Sequence, residues 1–136
     1  MAGDHTLTGL AVPDGLEDLH DLLEQVGAEH PEVASADLML FETAVIEIAG
    51  NVVEHGLPPG GVHWTFTIRV LHDRIEAELA DDGQALDDAR SPAVAEMPGE
   101  ESEAGRGFAL ASRVLDELTY ERHDGANHWC LVRRRS

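Results

Sequence analysis

The stretch from Leu38 to Val52 restricts the fold more than any other, because Leu38, Phe41, Val45, Ile48 and Val52 recur at spacings of 3, 4, 3 and 4. That is the period of an α-helix burying one face. Ser35 or Asp37 stands where a side chain caps such a helix, and the glycines and prolines of "HGLPPGG" block its continuation. Within it, "AVIEIAGNVVEHG" (residues 44–56) sets Glu47 and Asn51 four positions apart, on one flank a quarter-turn from the apolar stripe. At the edge of a core such a pair could hold a cation and its water. A solvated helix flank, continuous with Glu54, is the competing reading.

Around this helix the period changes. "HTLTGLAV" reads as an edge strand, and Pro13 and Asp14 open a helix with Leu16, Leu19, Leu22, Leu23 and Val26 on one face. "GAEHPEVASAD" reads as a loop. Residues 62–73 and 74–80 alternate with period two and predict a hairpin turning at His72 and Asp73. About 27 residues from Asp81 then lack periodicity, which suits a functional loop or lid. "FALASRVLDEL" returns to helical spacing, and "TYERHD" with "NHWCLVRR" predicts a closing hairpin around Gly125. One domain over residues 1–136 is expected, without repeats.

Composition narrows the partners. The formal charge is −18 and all nine cationic side chains are Arg, so a surface for nucleic acid phosphates is not expected. The terminal Arg133, Arg134 and Arg135 read as a tail. No apolar run approaches the roughly 20 residues that span a bilayer, and the N-terminal residues resemble no signal peptide, so no membrane contact and a cytoplasmic setting are expected. The single Cys130, inside "HWCLV", reads as a small core residue in a reducing compartment. The histidines show no HxH or HExxH spacing, which argues against a zinc site.

Two further motifs bear on chemistry. In "ADDGQALDD" an apolar strand ends at Asp81 and turns through Gly83, so a carboxylate could accept from an exocyclic amine while the backbone approaches a flat ring. An ordinary turn with a capping Asp explains the same residues. "GRGF" (Gly105, Arg106, Gly107 and Phe108) opens a helix after the long loop, where backbone amides and Arg106 could meet an anion. A plain hinge before a helix reads equally well. A Walker-type phosphate loop is excluded, since it requires a lysine.

The order of these elements is more telling than any one of them: a helix with ExxxN, a strand ending DxG, then a long loop closing on GxG and a helix. In that order the chain resembles the ATP-binding domain shared by gyrase, mismatch-repair ATPases and histidine kinases, and most closely the small anti-sigma factor serine kinases, over about residues 6 to 134. The resemblance implies a two-layer α/β sandwich: a mixed, mostly antiparallel sheet covered on one face by three helices, with an ATP lid. It implies Glu47 as the general base and Asn51 as the ligand of Mg2+. It implies Asp81 on the adenine amine, with Gly83 and Ala85 at the base, and Gly105, Arg106, Gly107 and Phe108 at the phosphates.

Three departures from the family pattern stand out. Ala85 replaces the second glycine of DxGxG, Ala126, Asn127 and His128 follow Gly125 where the family often has a Thr, and the lid is acidic (Glu96, Glu100, Glu101, Glu103). The resemblance implies an ATP-dependent protein serine kinase and anti-sigma factor. Its partners would be a sigma factor of RNA polymerase and an anti-sigma factor antagonist, the latter as substrate, and it would form a homodimer. The alternative is a partner-switching binding module that keeps the fold, with or without nucleotide binding, and does not transfer phosphate.

Overall fold

The computed structural model describes residues 4–55, 58, 60–83 and 110–135. Strand β1 (Asp4–Leu10) leads into helices α1 (Pro13–Glu29) and α2 (Ser35–His55). Strands β2 (His63–Val70), β3 (Arg74–Asp81), β4 (Glu117–His123) and β5 (Ala126–Arg134) follow. The strands form one sheet in the order β1-β2-β3-β5-β4. Where the resemblance implies a mixed sheet, every pairing among the described strands is antiparallel.

Alternation sorts each central strand into two faces. Trp64, Phe66 and Ile68 of β2, Ile75, Ala77 and Leu79 of β3, and Trp129 and Leu131 of β5 are buried. They share a core with Leu19, Leu23 and Val26 of α1 and with Phe41, Val45, Ile48 and Val52 of α2. The stripe that defines the second helix in the sequence is thus the stripe that covers the sheet. Two hairpins follow their turn residues. Asp124 (φ 56°) and Gly125 (φ 74°) are both left-handed, as a two-residue turn between twisted strands requires.

The structure corrects several boundaries. Helix α1 runs through Gly27, Ala28 and Glu29 instead of yielding to a loop at Gly27. A Cβ on Gly27 would sit 2.8 Å from Leu38 Cδ2, so the two helices meet at this glycine and a larger residue would push the Leu38 side chain aside. The last helix covers 110–114 of the described residues and does not reach Leu118. Glu117 and Leu118 pair with Val132 and Leu131 in β4, and the Asp116 amide already donates to the Val132 carbonyl at 2.7 Å. Sheet pairing overrides the helical spacing of "VLDEL" there.

Three residue assignments also change. Asp37 is 3% exposed and is no open cap, because Arg133 reaches it with Nε at 3.1 Å and Nη2 at 3.0 Å. Arg133 and Arg134 belong to β5 rather than to a tail, and Arg135 donates to the Leu71 and Glu32 carbonyls. Cys130 lies on the outer face of the sheet, opposite the core residue Trp129. There it lines a cleft of about 270 Å³ with Thr65, Thr67, Glu78 and His128. Burial, together with Glu78, Glu76 and Glu117 nearby, pushes its thiol pKa up.

Candidate functional site

Helix α2 presents Glu47 and Asn51 on successive turns of one flank. The solvated reading of that flank does not hold, since Glu47 is half-buried and Asn51 is 8% exposed. Both ends of the Asn51 carboxamide, Nδ2 and Oδ1, are buried without a hydrogen-bond partner among the described residues. Leaving such a group unpaired costs about 1–3 kcal/mol, so it calls for a ligand. An amide oxygen is a hard donor of the kind magnesium takes, and a phosphate oxygen could accept from Nδ2. The donor chemistry therefore fits a magnesium–nucleotide ligand.

Glu47 also borders a cleft of about 240 Å³ lined by His20, Met39, Glu42, Thr43 and Ile46. In it, burial raises the Glu42 pKa, with Glu24 adding to the rise and His20 opposing it. This cleft gives Glu47 an approach from outside. The cleft beside Cys130 is on the other side of the sheet and contains none of the expected site residues.

At the end of β3, Asp81 is 4% exposed. Its Oδ1 accepts from the Gly83 amide at 3.0 Å and from Asn127 Nδ2 at 2.8 Å. Asn127 in turn accepts at Oδ1 from the Tyr120 hydroxyl and from Arg122 Nη1, the latter at 3.0 Å, and Arg122 Nη1 also donates to the Gly83 carbonyl at 2.9 Å. Both hydrogen bonds to Asp81 from described residues end on Oδ1. Oδ2 faces no described donor and can accept from an exocyclic amine.

Asn127, Arg122 and Tyr120 are the residues that sequence reasoning missed. Asn127 reads in the sequence as a departure after Gly125, yet register places it directly opposite Asp81. There its amide fixes the carboxylate. No local signal in the sequence points to Asn127, since the turn at Gly125 pairs β5 with β4 and does not by itself set β5 beside β3.

The structure brings Asp81 and Gly83 together in one network and Glu47 and Asn51 onto one helix flank. No hydrogen bond joins the two groups among the described residues. Ala85, Gly105, Arg106, Gly107 and Phe108 lie outside the described residues, as does the acidic stretch before them. Among the described residues no helix is long and apolar enough to cross a membrane.

Comparison with known proteins gives the family. The chain is 32% identical over 91 residues to the serine/threonine-protein kinase BtrW of Bordetella bronchiseptica, covering 63% of each chain. It thus spans less than two thirds of that relative's length. The histidine kinase-like ATPase domain matches residues 11–133, nearly the whole chain and all the described elements from α1 to β5. ATP binding is what that domain implies, and the chain belongs to the histidine kinase-like ATPase domain family.

Proposed function

We propose that the protein is an ATP-dependent protein serine kinase that also acts as an anti-sigma factor. It would sequester a sigma factor of RNA polymerase and inactivate an anti-sigma factor antagonist by phosphorylating a serine on it. The observation that carries the reading is the buried Asn51 carboxamide, without a hydrogen-bond partner among the described residues and one turn after Glu47, in a chain of an ATP-binding family. The similarity to a protein named as a serine/threonine kinase supports the choice of acceptor.

In this reading Asp81 accepts from the adenine amine, held in place by Asn127 and the Gly83 amide. Gly83 lets the backbone lie close to the base, with Ala85 following it. By the family resemblance Gly105, Arg106, Gly107 and Phe108 would bind the phosphates, and Asn51 would hold Mg2+. When bound, magnesium offsets phosphate charge. Glu47 takes the proton of the acceptor hydroxyl as that oxygen attacks the γ-phosphorus, and the bond to the leaving ADP oxygen breaks. The strongly acidic chain, at −18, suits a partner with a basic surface, and a homodimer accords with the family resemblance.

The test is transfer of label from γ-labelled ATP, with magnesium, to a candidate antagonist. Label on an antagonist serine that falls at least a hundredfold in Glu47→Ala supports the kinase. Nucleotide binding with no labelled antagonist would point instead to a partner-switching module without phosphoryl transfer.

A further inference from the structure

Folding gathers ligands that the sequence keeps apart. His5 on the edge strand β1 and His30, the residue that follows α1, are 25 positions apart, yet their Nε2 atoms face each other at 3.3 Å. The side chains are 8% and 17% exposed, and the rings cross at 79°. Glu29 brings Oε1 to 3.8 Å from His5 Nε2, while Gln25 Nε2 holds its other oxygen at 2.8 Å. The two imidazole nitrogens and the Glu29 carboxylate all lie within 4.8 Å of one another.

The geometry points to a binding site for a divalent transition metal of the zinc class, with His5, His30 and Glu29 as ligands and water in the fourth position. Two nitrogens each about 2.0–2.1 Å from a tetrahedral zinc lie roughly 3.3 Å apart, the separation found here. Behind His30, Nδ1 is 3.3 Å from Glu32 Oε2. A carboxylate there keeps the proton on Nδ1 and leaves Nε2 bare for a metal, the outer-shell arrangement common to metal-bound histidines. In the metal-free state the two Nε2 atoms are within hydrogen-bond reach of each other, and metal binding would require both to be free of a proton.

Glu29, half-exposed, needs only a small side-chain movement to close the remaining distance. Imidazole ligands select zinc and its neighbours over magnesium, so this site is chemically separate from the one at Asn51. The bound metal would tie the edge strand to the end of α1.

The test is a titration of Zn2+ into the tag-free, chelator-washed full chain against a competing chromophoric chelator, paired with thermal melting. One equivalent should bind with a Kd on the order of micromolar or tighter and raise the melting temperature, and Mg2+ should do neither. His5→Asn and His30→Asn should each weaken binding at least tenfold, Glu32→Gln about tenfold, and His123→Asn not at all. In the unaltered chain, Zn2+ should shift the imidazole resonances of His5 and His30 and spare those of His123 and His128, a readout that does not depend on a variant folding. Absence of stoichiometric binding, or binding that leaves the His5 and His30 resonances in place, would overturn the site and leave a simple contact between two imidazole rings.

Discussion

A buried carboxamide with neither end satisfied is costly, and among the described residues Asn51 finds no partner, one turn after Glu47. This pair was legible in the sequence because helical spacing is local. The support of Asp81 was not, because Asn127 is 46 residues away and meets it only through strand register. Cys130 shows how alternation is misread at single-residue resolution. "HWCLV" reads as a continuous apolar run, whereas Trp129 and Leu131 face the core and Cys130 faces the other way. Because burial and the surrounding carboxylates raise the thiol pKa, its thiolate fraction at neutral pH is below that of an ordinary cysteine. Reaction with an aromatic disulfide at pH 8 should be slower than for a model thiol, and should quicken after Glu78→Gln. A rate equal to the free thiol's would contradict that environment.

At the scale of elements, helical and strand periods placed α1, α2 and both hairpins, and boundaries failed where tertiary pairing decided them. The sequence has no local sign that Arg133, next to the C-terminus, grips Asp37 at the start of α2, 96 residues earlier. Arg133 also donates to the Val114 carbonyl at the end of the last helical segment, so one guanidinium joins three elements. Breaking such a buried pair typically costs 3–5 kcal/mol, and with Arg133 partly exposed the lower end is expected. Arg133→Ala should therefore lower stability by roughly 3 kcal/mol, read as a reduced urea midpoint at unchanged slope. Arg133→Lys should recover only part of the loss, since an ammonium cannot reproduce the planar fork. An unchanged midpoint in Arg133→Ala would show that the pair does not hold α2 to β5.

For the whole molecule, the succession of helix, strand, loop and helix marked the family before any coordinate did, since a linear order survives in sequence. Sheet order did not, because nothing local says that β5 lies between β3 and β4. That order brings the end of β3 against the start of β5 and so builds the Asp81 network on the face of the sheet that the helices cover. The central claim is that this molecule binds ATP with magnesium held at Asn51. Calorimetric titration of ATP with and without magnesium, on the unaltered chain and on Asn51→Ala, tests it most directly. The variant should stay folded, as truncation removes no hydrogen bond seen among the described residues. The unaltered chain should bind ATP at least tenfold more tightly with magnesium than without, and Asn51→Ala should bind equally weakly in both. No binding to the unaltered chain, or a magnesium dependence that survives in Asn51→Ala, would contradict the account.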